Sequence, residues 1–187
     1  MKTLVLSTLF AAVLLSACGG VPTMSDTKTV MVGSAAMFPS KDIIDNAVNS
    51  KDHTTLVAAV KAAGLVDTLK SPGPFTVFAP VNSAFAALPA GTVDTLLKPE
   101  NKATLTKVLT YHVVPGRLNA SDLARQISAG GGRAMLKTAS GGTLTASMSG
   151  SNVMITDDGG GSARVTIADV NQSNGVIHVV DKVLLPK

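Results

Sequence analysis

Apolar residues spaced three and four apart predict helices in the first half of the chain. Two such stripes open the folded region, and they comprise Ile43, Ile44, Ala47 and Val48, then Leu56, Ala59, Val60 and Ala63. Gly64 directly follows the second stripe, at a position where helices commonly end. Further helices are predicted at 65–69, after Asn82, at 93–97, at 105–109 and after Ser121, with Asn82 and Ser121 as N-caps.

Strand patterns dominate the second half. Extended segments are predicted at 75–79, 111–114, 134–138, 143–148, 153–156, 165–170 and 176–185. Both faces of the final segment are mostly apolar, so we expect it to lie buried between layers. Helices followed by antiparallel strands predict an α+β fold and not an alternating βαβ fold.

The N-terminal segment has the pattern of a secretion signal, with a positive start, an apolar run at 4–15 and small residues at 16–17. This run is shorter than the roughly 20 residues that span a membrane. Cys18, the only cysteine, ends the sequence Leu-Ser-Ala-Cys, which resembles the bacterial lipoprotein box. The resemblance implies cleavage after Ala17 and a diacylglyceryl group on the Cys18 sulfur. An ordinary signal peptide cut near Ala17, leaving an unpaired thiol, is the alternative.

We therefore expect three regions: a signal peptide at 1–17, a lipidated cysteine with a flexible linker at 18–39, and one domain at 40–187. Two acyl chains hold a protein durably on a membrane. Gly19, where some lipoproteins carry Asp, resembles the sorting signal for an outer membrane. The expected location is the cell envelope, facing the periplasm or the exterior.

The composition argues against several classes of function. The net charge is +4, but the basic residues are scattered and aromatic residues are few, so no nucleic-acid partner is expected. The three histidines lie far apart without a partner cysteine, and we predict neither a metal nor a cofactor. His53 is expected to be solvated, and His178 to be a hydrogen-bonded core or edge residue. Asp157–Gly159 predicts a hairpin turn, since the spacing of a calcium-binding loop is missing.

Three segments resemble, in order and spacing, the signature blocks of fasciclin-type domains. They are FTVFAPVNSAF at 75–85, YHVVPG at 111–116 and NGVIHVVDKVLLP at 174–186. The resemblance implies a wedge of two β-sheets with the helices of the N-terminal half packed against it. It also implies an adhesion or extracellular interaction module without known catalysis.

The resemblance also marks Tyr111 and His112 as candidate partner-binding residues, because the region around this motif has been linked to integrin binding in animal members. The alternative is a buried pair whose polar atoms satisfy backbone groups near a sheet edge. In an extended segment the two side chains would point to opposite faces.

Three functions follow as hypotheses. The first is a lipid-anchored module that binds a protein or carbohydrate of a surface, matrix or envelope without covalent chemistry. The second is a periplasmic protein that binds a small apolar or sugar ligand, which requires a closed pocket. The third is an enzyme, which requires ionisable groups with shifted pKa values in a cleft. The absence of catalytic motifs favours a protein that is not an enzyme.

Overall fold

The structure is a computed structural model that describes residues 29–187. Cys18, the predicted signal peptide and the first half of the predicted linker lie outside these residues. The helices are α1 Ile43–Ala47, α2 Thr54–Ala63, α3 Val66–Lys70, α4 Asn82–Ala86, α5 Thr92–Leu97, α6 Lys102–Tyr111 and α7 Ala120–Ala129. Six of these seven helices precede residue 112, as the apolar stripes predicted. None of the helices within residues 29–187 combines the length and the hydropathy needed to cross a membrane.

The strands form a two-stranded hairpin and one seven-stranded sheet. The hairpin pairs β1 Val30–Val32 with β2 Ala35–Met37. The sheet contains β3 Phe75–Pro80, β4 Val113–Pro115, β5 Arg133–Lys137, β6 Thr143–Ser149, β7 Asn152–Thr156, β8 Ser162–Gln172 and β9 Gly175–Val180. Its strand order is β4-β3-β9-β8-β7-β6-β5. All neighbours are antiparallel except β3 and β9, which are parallel.

Strand β8 joins the two halves of this sheet. Its first residues, from Ser162 to Arg164, pair with β7. The residues from Val165 onward pair with β9, with two irregularities in the register. The two ends of the sheet also approach each other, because the Ala139 N–H donates to the Val113 carbonyl at 2.7 Å. The result is a nearly closed mixed sheet with a wedge-shaped interior between its two halves. Together with the seven helices, this sheet confirms the predicted α+β class.

Each half of the sheet has its own hydrophobic core. The first core packs α1, α2, α3 and α6 against β3, β9 and the C-terminal part of β8. The second lies under α7 and contains Leu123, Ile127, Leu144 and Ile155. Strand β9 is buried along its whole length, as its two apolar faces predicted. It ends at Val180, not at Leu185 as predicted, because the backbone N–H groups of Leu184 and Leu185 bond to side chains instead of to β8.

The hairpin is the main departure from the predicted layout. Residues 30–37 were expected to belong to a flexible linker that reached Pro39, but Val32 and Met37 are each 2% exposed within the first core. Gly33 and Ser34 connect the strands, both with positive φ, of 57° and 63°. This is the geometry of a type I′ turn, which matches the twist of antiparallel strands. The folded domain therefore includes residues 30–37, which precede Ser40.

Candidate functional site

Tyr111 and His112 lie at the end of α6 and not in an extended segment, because the backbone keeps its helical path. Tyr111 is the last helical residue, and the His112 N–H still donates to the Leu109 carbonyl at 3.1 Å. The Tyr111 side chain is fully buried. Its hydroxyl donates to the Thr143 carbonyl at 2.9 Å and accepts from the Asp158 N–H at 3.0 Å. Burial raises the pKa of Tyr111, so this hydroxyl stays neutral.

His112 is also enclosed, and both of its ring nitrogens have partners. Nδ1 lies 2.8 Å from the Val108 carbonyl, to which it donates. Nε2 accepts from the Leu184 N–H at 2.9 Å. Burial lowers the pKa of His112 to about 4. The Tyr111 hydroxyl and both ring nitrogens of His112 have hydrogen-bond partners inside the fold. This geometry favours a buried structural pair over two partner-binding residues.

The other two histidines are buried as well. His178 is fully buried, as expected of a core residue; its Nε2 lies 2.7 Å from the Leu118 carbonyl and its ring stacks on Phe78. The prediction that His53 is solvated is wrong, because its side chain is 3% exposed. Its Nδ1 lies 2.9 Å from Ser50 Oγ, and its Nε2 has no hydrogen-bond partner among residues 29–187. Burial lowers the pKa of both His53 and His178.

The loop after β7 is a hairpin turn, as predicted for Asp157–Gly159. The Asp157 carboxylate accepts from the N–H groups of Gly159, Gly161 and Leu185 at 2.7–3.1 Å. These three bonds shape the loop and attach the C-terminal segment to it. Within the described part of the chain, no group of three or more His, Cys, Asp or Glu side chains is arranged to hold a metal ion.

The outward side of β5–β8 forms a continuous surface, which we call the outer face. Cross-strand pairing places its residues in two aligned rows, Arg133–Ser147–Met154–Arg164 and Met135–Thr145–Thr156–Ser162, and a third pair, Lys137–Thr143. The residues between them point the other way, into the second core. All ten outer-face side chains are exposed or partly exposed in the described structure.

The outer face is polar and positively charged. Five of its ten side chains carry hydroxyls, three are basic and none is acidic. Met135, the most exposed apolar residue on it, is 78% exposed. Arg164 has an acidic neighbour, with its Nε 3.6 Å from Asp181 Oδ2, whereas Arg133 and Lys137 form no ion pair with residues 29–187. This surface can attract an extended anionic partner and donate hydrogen bonds to it.

A cavity of about 90 Å³ lies inside the first core, between α1–α3 and α6 on one side and the sheet on the other. Its lining is almost entirely apolar and includes Val32, Ile44, Ala47, Leu56, Val77 and Ile177. Leaving such a volume empty costs roughly 2 kcal/mol, at about 24 cal/mol per Å³. A sugar needs several convergent polar groups, which this lining does not supply.

Neither the outer face nor the cavity was predicted from the sequence. A signal for the face existed in β5, where exposed Arg133, Met135 and Lys137 alternate with buried Ala134 and Leu136. Alternation shows which side of a strand faces water, but not whether a helix or loop covers that side. The cavity left no sequence signal, because its lining residues have the pattern of an ordinary core.

Comparisons with known proteins agree on one family. The model of the fasciclin domain matches residues 51–186. Protein sll1483 of Synechocystis sp. is 48% identical over 159 residues, covering 85% of this chain and 81% of that protein. The cell surface glycolipoprotein MPB83 of Mycobacterium bovis is 31% identical over 159 residues, covering 82% and 64%.

A solved structure shows the same fold. The chain resembles a FAS1 domain pair from the insect cell adhesion molecule fasciclin I, with a TM-score of 0.57 and 23% identity. The match covers 75% of this chain and 45% of that one, so a single domain of this kind accounts for the described residues.

Proposed function

The chain belongs to the fasciclin domain family, and we propose that it is a lipid-anchored interaction module outside the cytoplasm. It binds an acidic polysaccharide of a surface, matrix or envelope through the outer face, without catalysis. The single observation that carries this proposal is the basic and hydroxyl-rich outer face of β5–β8. The names of two similar proteins support a location at the cell surface, since one is a cell surface glycolipoprotein and the other a cell adhesion molecule.

Charge and shape favour a polysaccharide over a protein partner. Protein interfaces are usually anchored by aromatic side chains in a desolvated centre, and the outer face contains no aromatic residue. Arg133 lies three strand spacings, about 14 Å, from Arg164, and four residues, also about 14 Å, from Lys137. Basic groups so far apart suit a polymer with repeated carboxylates better than a single small anion.

The lipid on Cys18 would convert weak sites into firm attachment. Many copies held on one membrane engage a polymer at several points, and such multivalency raises the overall strength of binding far above that of each site. The name of MPB83 supports a lipid in a relative of this chain. For Cys18 itself, the lipoprotein-box sequence is the support.

The binding proposal is tested with soluble protein that begins at Gly19, on beads carrying a polyuronate or neutral dextran. We expect retention on the polyuronate that weakens as salt rises, because exposed charges are screened. The variant Arg133→Gln/Lys137→Gln/Arg164→Gln should lose at least about tenfold in affinity. The matched control Lys51→Gln/Lys61→Gln/Lys102→Gln removes the same charge from α2, from the turn before it and from α6, on the other half of the molecule.

Equal losses in the two triple variants would show a net-charge effect and overturn the outer-face site. Retention of a purified acidic protein but not of the polyuronate would overturn the choice of a polysaccharide. The anchor is tested separately with Cys18→Ser, which should remain unprocessed or be released from membranes. Processing of this variant followed by membrane partition of its mature form would contradict the lipid anchor.

A further inference from the structure

We infer that the cavity in the first core is a binding site for one small apolar molecule that carries a single hydroxyl group. The inference is independent of the outer face, which lies on the other half of the sheet. It concerns the space of about 90 Å³ enclosed by α1–α3, α6 and the sheet. Folded proteins contain few voids larger than a water molecule, so a space of this size in a natural core calls for an occupant.

The lining determines which molecules can occupy the cavity. Bound water needs two to four polar partners, and the surface that lines the cavity is almost wholly apolar, with Val32, Ile44, Val77 and Ile177 among its side chains. An apolar cavity of about 150 Å³ is known to stay dry and to hold benzene. The present cavity is smaller, so an occupant of about four or five heavy atoms fits without expansion of the core.

His53 supplies one polar contact in this lining. Its Nε2 is buried and makes no hydrogen bond of good geometry among residues 29–187, although the backbone of Ala79 lies nearby and His53 itself lines the cavity. Its Nδ1 is engaged by Ser50, which fixes the ring. A neutral imidazole either donates or accepts at Nε2, according to its tautomer, and a hydroxyl can do both. A hydroxyl is therefore the polar group that this site can satisfy in either tautomer.

Beside α3 the lining of the cavity reaches residues that are exposed to solvent. The lining residues Leu65, Thr68 and Phe75 remain partly or fully exposed. The short helix α3 and the loop before β3 form this rim. A small ligand can therefore enter from this side without opening the sheet.

The test uses the full chain carrying Cys18→Ser, with xenon and n-butanol as probes and methyl NMR as the readout. Both probes should produce saturable shifts at Val32, Ile44, Val77 and Ile177. Methyl groups of the second core, at Leu123, Leu144 and Ile155, should not shift. His53→Phe should weaken n-butanol binding about fivefold, the loss of one hydrogen bond, and leave xenon binding unchanged.

Filling the cavity gives the complementary test. Ala47→Leu, with Val77→Leu as the second choice should the first fail to fold, should abolish the shifts. The matched control Ala58→Leu adds the same atoms to the exposed side of α2 and should bind as the wild type does. Absence of shifts in the wild type, equal shifts in both cores, normal binding by the filled variant, or equal n-butanol binding by His53→Phe would each overturn the inference.

Discussion

The backbone N–H of Leu184 donates to Nε2 of His112 at 2.9 Å, across 72 positions of sequence. This hydrogen bond attaches the segment that follows β9 to the C-terminal end of α6. It requires an unprotonated Nε2, because Nδ1 already donates to the Val108 carbonyl. The neutral state of one buried histidine therefore links the Tyr-His motif to the final block of the sequence resemblance.

The first prediction concerns the dependence of stability on pH. Burial holds the pKa of His112 at about 4 in the folded state, against 6.5 for the free side chain. Between these values the unfolded chain binds more protons, so the free energy of unfolding falls as the pH falls from about 6.5 to about 4. The expected loss from His112 is roughly 3 kcal/mol, at about 1.4 kcal/mol for each pKa unit. The lowered pKa values of His53 and His178 act in the same direction.

His112→Gln separates this residue from the other groups. Glutamine carries no titratable group. The unfolding free energy of the variant should therefore lie furthest below that of the wild type at pH 7, and the difference should narrow towards pH 4. Urea denaturation at several pH values measures this difference. A deficit that stays constant across the range would contradict a neutral, buried His112.

The second prediction separates a structural role of Tyr111 from partner contact. Tyr111→Phe removes the hydroxyl that joins the Thr143 carbonyl to the Asp158 N–H. Unsatisfied buried groups destabilise by about 1–3 kcal/mol, so urea denaturation should show a loss of that order. Polyuronate binding should be the same for the wild type and Tyr111→Phe under conditions in which both are folded. Reduced binding with an unchanged unfolding free energy would instead assign Tyr111 to partner contact.

The sequence predicted the elements whose signals are local. The end of α2 is an example, because Gly64 takes the left-handed conformation with φ of 73°, as expected for a terminal glycine. The buried strand β9 is another, because apolar residues on both of its faces predict that both faces are covered.

Features set by residues distant in sequence could not be predicted in this way. Asn82, expected to cap its own helix, instead accepts from the N–H of Thr55 at 3.1 Å and so caps α2. His53 follows charged Lys51 and Asp52, yet the sheet encloses it. The sequence predicts an extended segment that begins at Tyr111, but the packing of α6 extends the helix through this residue. The outer face depends on which strands stay uncovered, and that is a property of the whole fold.

The third prediction concerns the contact of Gly142 with Tyr111. A Cβ added at Gly142 would lie 2.5 Å from Cε2 of the Tyr111 ring, closer than carbon atoms approach. Gly142→Ala must therefore displace a ring that both Thr143 and Asp158 hold in place. Overpacking of this kind costs about 1–3 kcal/mol, to be measured by urea denaturation.

The adjacent Gly141 provides the matched control. It has φ of +87° and no atom within 4 Å of an added Cβ, so Gly141→Ala incurs only backbone strain. In the double-mutant cycle with Tyr111→Leu, most of the Gly142→Ala loss should disappear, whereas the Gly141→Ala loss should persist. A Gly142→Ala loss that does not depend on residue 111 would rule out the ring as its cause.

The fourth prediction tests whether the hairpin β1–β2 belongs to the folded domain. Met37 is 2% exposed and packs in the first core, whereas Met31 in the same hairpin is 59% exposed. Met37→Ala should lower the unfolding free energy by about 2–5 kcal/mol, the usual cost of truncating a buried methionine. Met31→Ala should change it by no more than about 0.5 kcal/mol.

The two substitutions remove the same atoms from one short hairpin, so effects on the unfolded chain largely cancel between them. The difference then reports only the packing of Met37. Because Met37 also lines the cavity, its truncation enlarges a space that is already present, and this places the expected loss in the upper part of the range. Equal effects of both variants would return residues 30–37 to the flexible linker, and the domain would then begin near Ser40.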